Sequence, residues 1–269
     1  MKILDTLIDP EIERALAGLP NRVNELGFDD WGFSPAEARA LFGIARRIHD
    51  YFRPSILGIE NLPAGRALVV ANHSGQLPLD GLVIAVACLL KANPPRLARA
   101  MAERWFPTVP YLYEMMTRAG AVLGDPVNCR NLLEDDQMIL VFPEGVRGSG
   151  KVWKDRYRLQ GFGRGFLRLA LQTDTPIVPV GVVGGEESII SVHNWKGLAK
   201  LLGTPYWPIS PLGYFPLPVK FHVRFGEPMR FTGRFDDEDS VIDEKVAEVE
   251  ARVQALVDDR LSARKSLFF

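Results

Sequence analysis

The chain has 269 residues, 47% of them hydrophobic, with 32 basic side chains against 33 acidic ones. That length and apolar content suit one large domain or a core with a small appendage, and a net charge of −1 gives no footing for nucleic acid. Two cysteines, Cys88 and Cys129, form no motif, so a reduced, cytoplasmic protein is expected.

Pro and acidic residues interrupt residues 1–20, which predicts no signal peptide. No apolar run approaches the ~20 residues that a membrane span requires. The first thirty residues are weakly patterned. Ser34-Pro35-Ala36-Glu37 then predicts a helix start, with Ser34 as N-cap, Pro35 at the first position and Glu37 placed for a capping box. Leu41, Ile44, Ala45, Ile48, Tyr51 and Phe52 follow at helical spacing, with Arg39, Arg46 and Arg47 mostly off the stripe. Such a helix suits either a membrane surface or a seat on the domain.

Arg53-Pro54 stops that helix, and Ile56 to Ile59 reads as a short strand. The turn Asn61 to Gly65 leads into Ala67-Leu68-Val69-Val70-Ala71, the pattern of a strand buried on both faces. It ends abruptly in Asn72-His73-Ser74-Gly75. Leu79 to Leu90 is apolar all round and predicts a buried helix, with Cys88 as a small core residue. A strand over Arg96 to Met101, a helix over Pro110 to Ala119 and a helix from Asp125-Pro126 to about Asp136 follow. Met138 to Phe142 is the second buried strand, and it delivers Pro143-Glu144-Gly145-Val146-Arg147-Gly148-Ser149-Gly150-Lys151. Gly165 to Gln172 reads as a helix, Pro176 to Val183 as a third buried strand and Asn194 to Leu202 as a short helix. Residues 203–218 interleave prolines with Tyr206, Trp207, Tyr214 and Phe215, too apolar for a flexible linker. Val219 to Phe225 alternates as a strand, and Asp239 to about Arg264 is an amphipathic helix.

Strands alternating with helices predict an α/β fold with a mostly parallel central sheet flanked by helices. The chain divides into an N-terminal helical segment (1–54), an α/β core (55–235) and a C-terminal amphipathic helix packed on the core (236–269).

A polar loop at the end of a buried strand is where open α/β sheets place their chemistry. Here that loop holds His73, with Asp80 close behind. A carboxylate accepting one imidazole N–H fixes the tautomer and leaves the other nitrogen to take a proton. The alternative is a structural histidine, which is the default for His49, His193 and His222. The second cluster, Glu144-Gly145-Val146-Arg147, offers backbone N–H groups freed by glycine and a guanidinium that binds phosphate bidentately. It lies in the chain's most basic segment: from Val146 to Arg168 seven basic residues face Asp155 alone.

Several chemistries are disfavoured, and an NTPase would require nucleotide binding at Gly145 to Lys151. Gly145 to Lys151 nearly spells a P-loop, but Val152 stands where Ser or Thr must hold magnesium. Gly-x-Ser-x-Gly is absent, Ser74 cannot be served by its own neighbour His73, and no metal-ligand spacing occurs. A general base beside a phosphate-binding loop, without a protein nucleophile, suits direct transfer of an activated group to a hydroxyl.

From about Gly58 to Pro228 the sequence resembles the glycerolipid acyltransferases of the lysophosphatidate type. The resemblance rests on Asn72-His73 with Asp80, on Phe142-Pro143-Glu144-Gly145 with Arg147, and on Pro176-Ile177-Val178-Pro179-Val180, in that order. Six residues separate His73 from Asp80, a longer loop than is usual in the family. The block of Gly and Arg expected ahead of the Glu motif is reduced to Gly120-Ala121-Val122, with Arg130 too far along. Both features resemble the branch of mono- and diacylglycerol acyltransferase-like proteins.

The resemblance implies an O-acyltransferase using acyl-CoA or acyl-carrier protein as donor and a lysophospholipid or acylglycerol as acceptor. It implies His73 as general base with Asp80 as its catalytic partner; it places Glu144, Gly145 and Arg147 in substrate binding and calls for neither metal nor organic cofactor. A cytoplasmic protein peripheral on the membrane surface follows from such substrates. A non-catalytic lipid or acyl-CoA binding protein of the same fold is the alternative. For the aromatic run at residues 203–218 the two expectations are interface anchors or the wall of an acyl site.

Overall fold

Every side chain of β2 (Ala67–Ala71) is buried, and alternate residues serve opposite layers. Leu68 and Val70 pack with Leu132, Leu133, Leu167 and Val249 on one face. Ala67, Val69 and Ala71 pack with Val83, Ile84 and Cys88 on the other. A strand with two apolar faces belongs inside a sheet covered on both sides. The computed structural model, which describes residues 8–268 except 21, 76, 105, 106, 108, 110, 202 and 205, places it there.

Seven strands form that sheet, in the spatial order β1-β9-β6-β2-β5-β3-β4. They are β1 (Ser55–Leu57), β2, β3 (Ala98–Ala102), β4 (Val122–Leu123), β5 (Met138–Val141), β6 (Ile177–Val183) and β9 (His222–Phe225). From β6 across to β4 all neighbours run parallel; β9 runs antiparallel to β6, and β1 parallel to β9. The mostly parallel sheet expected from the sequence is therefore present. A small hairpin of β7 (His193–Asn194) and β8 (Pro208–Ile209) stands apart from it.

Helices cover both faces. On one side lie α1 (Pro10–Ala17), α2 (Pro35–Phe52) and α3 (Leu79–Lys91), joined through Ile12, Phe33, Phe42, Val86 and Leu89. The fully buried Ile12 and Leu89 each contribute about 1.5–3 kcal/mol of burial. Helix α4 (Leu112–Arg118) follows β3. On the other side lie α5 (Pro126–Glu134), α6 (Gly165–Thr173) and, after the short α7 (Lys196–Leu201), α8 (Asp239–Ala263). Helix α8 buries Ile242, Val246, Val249, Val253, Leu256 and Val257 along one stripe. It approaches β6 so closely that a Cβ at Gly181 would lie 2.7 Å from that of Leu256.

Helix α1 is a departure from the sequence reading, which found the first thirty residues weakly patterned. Asp9 caps it, accepting from Glu11 N at 2.8 Å, and Pro10 opens it. At Ser34 the predicted capping box does not form: Ser34 is the N-cap residue, but its side chain makes no cap hydrogen bond. Glu37 instead pairs with Arg118 at 3.6 Å. Helix α2 seats on the domain, with Arg46 held by Glu11 and Asp50 at 2.8 Å each. At Asp125 the predicted cap is present, accepting from Val127 N at 2.9 Å. The helix expected over Pro110–Ala119 runs from Leu112 to Arg118, and that over Asn194–Leu202 from Lys196 to Leu201; Pro110 and Leu202 lie outside the described residues.

The basic segment 146–168 has a structural explanation. Arg164 pairs with Asp239 and Asp243 at 2.5 Å each, and Arg168 with Asp239 at 2.7 Å. Two of its seven basic side chains thus meet the acidic start of α8.

Candidate active site

Register aligns the strand ends. Val70 lies opposite Val141 of β5, and Ala71 opposite Val180 of β6. The polypeptide leaving β2, β5, β3 and β6 therefore carries His73, Glu144, Glu103 and Glu186 from neighbouring carboxyl-terminal strand ends. Asn72 extends the pairing past the end of β2: its side chain donates to Val182 O (2.9 Å) and accepts from Val182 N (2.7 Å). That fixes where the loop begins.

His73 Nδ1 lies 2.7 Å from Asp80 Oδ2. Asp80 is fully buried in the first turn of α3, a favourable place for a carboxylate. Its Oδ2 also accepts from Ser74 N at 2.7 Å, and its Oδ1 from Gly81 N at 2.8 Å. The long His–Asp loop thus closes on itself. The imidazole stacks on the Phe142 ring, with centroids 4.4 Å apart and planes 25° apart. Among the described residues no hydrogen bond engages His73 Nε2, and the side chain keeps 14% exposure.

Glu144 fastens the two clusters together. Its Oε1 accepts from His73 N at 2.9 Å, its Oε2 from Gln160 N at 2.8 Å, and Lys151 Nζ lies 3.3 Å from Oε2. Lys151 also pairs with Glu186 at 2.7 Å, all three side chains being almost wholly buried. A P-loop lysine has to reach phosphates; this one is turned inward between two carboxylates. Gly145, at φ 55°, starts a one-turn helix (Val146–Ser149) that brings Gly148 against the site. A Cβ there would lie 2.7 Å from that of Glu144 and 2.8 Å from that of His73. Only glycine fits that junction.

Burial alone would lower the pKa of His73, but the carboxylates of Asp80, Glu144 and Glu103 outweigh it and hold the imidazole above its ordinary value. Burial pushes the Glu103 carboxyl up, against the pull of His73. Burial likewise raises Glu186, despite its Lys151 partner.

The sequence-predicted residues separate into two groups. His73, Asp80 and Glu144 come together, with Gly145 at the turn beside them. Arg147 is exposed, donating from Nη2 to Gly161 O at 3.0 Å. It belongs to the outside of the loop. His49 has a neighbour that the sequence reading passed over, Asp50 at 2.9 Å from Nδ1. Glu103, Glu186 and the inward Lys151 were missed. The signal was available for the two glutamates, since each follows a strand end as His73 does. Tyr206, from the Pro-aromatic run, was also missed as a neighbour of this loop: it hydrogen-bonds Ser149 and lies against Gly150.

No group of His, Cys, Asp and Glu suited to a metal occurs among the described residues. Ser74 is fully buried, and among the described residues its Oγ has no hydrogen-bond partner.

The mostly parallel sheet carries the His73–Asp80 pair at its carboxyl edge, and comparison with known proteins gives the family. The acyltransferase family profile matches residues 53–183. An uncharacterized protein of Mycobacterium tuberculosis is 38% identical over 259 residues, covering 92% of this chain and 72% of its own length. The DGAT1/2-independent enzyme synthesizing storage lipids of Gallus gallus is 28% identical over 216 residues, 80% of this chain and 61% of its own. The crystal structure of the 1-acyl-sn-glycerophosphate (LPA) acyltransferase PlsC from Thermotoga maritima has the same fold, with a TM-score of 0.52 at 19% identity over 84% of this chain and 83% of that one. The chain belongs to the acyltransferase family.

Proposed function

We propose that this acyltransferase moves a fatty acyl group from a thioester, acyl-CoA or acyl-carrier protein, to a hydroxyl of a glycerolipid, either a lysophospholipid or an acylglycerol. The observation that carries the reading is His73, tied through Nδ1 to buried Asp80 and with Nε2 left unbonded among the described residues. The acceptor oxygen attacks the thioester carbonyl as its proton passes to Nε2. The C–S bond then breaks, and the proton passes to the departing thiolate. Asp80 orients the ring and stabilises the imidazolium. No acyl-enzyme forms, in keeping with the burial of Ser74. Glu144 and Gly145 shape the acceptor side of the loop, and Arg147 receives a phosphate of donor or acceptor at the rim.

A non-catalytic binding protein of this fold has no need for the His73–Asp80 bond, and its presence favours the enzyme. Labelled acyl-CoA and acyl-carrier protein, each offered with lysophospholipids, monoacylglycerol and diacylglycerol, test the proposal. Labelled ester with one acceptor class is the expected result. Tight lipid or acyl-CoA binding with no transfer to any acceptor would establish the binder instead.

A further inference from the structure

We infer that the layer built from residues 190–218 is the surface on which the protein seats on an anionic lipid bilayer. The inference rests on the proposed function only for its choice of a lipid surface over other apolar partners.

The first observation is charge. Between Glu187 and Glu227 the sequence has no acidic residue, while Lys196 and Lys200 lie within the layer and Lys220 just beyond it; Arg224 is paired with Asp259 of α8. In a chain whose charges otherwise balance, that stretch is set apart, and its sign complements anionic headgroups.

The second is exposure. Trp195, Leu201, Leu212, Tyr214 and Phe215 are 55%, 81%, 63%, 50% and 79% exposed. These large apolar side chains belong to one small layer. Strands β7 and β8 pair within it, Trp195 N donates to Trp207 O at 2.8 Å, and Tyr214 Oη donates to Pro208 O at 2.5 Å. Leu212 sits at a turn closed by Gly213 N on Ser210 O at 3.2 Å. Phe215 is steadied from below by the edge of the Tyr51 ring, whose hydroxyl donates to Pro216 O at 2.7 Å. Prolines 208, 211, 216 and 218 hold these rings out with little ordering left to do on binding.

The third is continuity with the site. The inner side of the layer rests on the loop that carries Glu144: Trp153 N donates to Ser191 O at 2.6 Å, and Asn194 Nδ2 to Gly150 O at 2.5 Å. Tyr206 turns inward to Ser149 and Gly150, while Tyr214 and Phe215 turn outward. The run is thus divided, with Tyr206 packed on the loop and Tyr214 and Phe215 facing outward. A bilayer touching the outer side lies one thin layer from His73.

Co-sedimentation tests the surface, using vesicles of phosphatidylcholine alone or with one-third phosphatidylglycerol. Wild type is expected to pellet with the mixed vesicles and more weakly with the neutral ones. Leu212→Ser with Phe215→Ser, and separately Lys200→Glu, should each weaken that binding tenfold or more; circular dichroism should be unchanged. Transfer to a short-chain, water-soluble acceptor without vesicles should also be unchanged. Wild type remaining in the supernatant with both vesicles would overturn the inference, as would variants that pellet like wild type. So would a wild-type dimer that the variants break, since the face would then be a contact between copies. Vesicle binding by a protein that transfers no acyl group would sink the function while leaving the surface standing.

Discussion

Asp80 Oδ2 holds His73 Nδ1 and the backbone N–H of Ser74 at once, each at 2.7 Å. One carboxylate oxygen therefore sets both the tautomer of the imidazole and the path of the loop that presents it. Because Asp80 is fully buried at the start of α3, that orientation is carried by the core and not by a mobile side chain.

The first prediction follows from the carboxylates around His73. A general base must be neutral, and His73 is held above the ordinary imidazole value, so kcat/KM should rise with pH along a limb displaced upward. Glu103→Gln removes one of the raising charges and should move that limb to lower pH. A limb that stays put or moves up would separate Glu103 from the site. The same raised pKa has a stability sign: protonated His73 contributes stability fully below the unfolded imidazole pKa and loses it as pH rises through the folded value.

Gly148 offers a geometric test. Gly148→Ala places a methyl group 2.7 Å from Glu144 Cβ and 2.8 Å from His73 Cβ, neither of which can rotate away. The two must separate, and a displacement approaching 1 Å costs on the order of 10²-fold in turnover. Steady-state kinetics on a variant with wild-type circular dichroism checks this. Unchanged kcat would show that the His73–Glu144 spacing is not part of the reaction.

Much of this was legible in the sequence. The continuous apolar runs at Ala67–Ala71, Met138–Val141 and Ile177–Val183 mark central strands because both of their faces are covered. His73 and Glu144 stood out as polar residues just past the ends of such runs, and Asp80 as the carboxylate a short loop beyond His73. Helix α1 did not, since its eight residues bury only Ile12, Ala15 and Leu16. Lys151 was misleading because spacing says nothing of direction: its place in a near P-loop gave no sign that it points inward to Glu144 and Glu186. The one-turn helix and the β7–β8 hairpin are too short to carry a periodic signal.

Lys151 yields a stability prediction. Lys151→Met leaves Glu144 and Glu186 buried without their cation, and breaking a buried ion pair in this way costs about 3–5 kcal/mol. Urea unfolding should show that loss, and adding Glu186→Gln should return part of it. A stable single mutant would mean that the triad is relaxed by water.

Arg147 is exposed and lies outside the buried cluster, so its loss should spare the fold. Arg147→Ala should raise the KM of whichever substrate sets a phosphate against it, by an amount corresponding to about 1.5–3 kcal/mol, with kcat less affected. Arg147→Lys should not fully restore it, because lysine lacks the planar fork. Equal KM values for donor and acceptor in wild type and mutant would remove Arg147 from substrate binding.

The central claim is that His73, held by Asp80, takes the proton of the attacking hydroxyl. Initial rates of acyl transfer to the preferred acceptor, for wild type, His73→Ala and Asp80→Asn, test it most directly. His73→Ala should lose about 10²–10⁴-fold in turnover, read on a variant whose circular dichroism matches wild type, and Asp80→Asn should lose less. His73→Ala turning over at the wild-type rate would contradict the account and make the histidine structural.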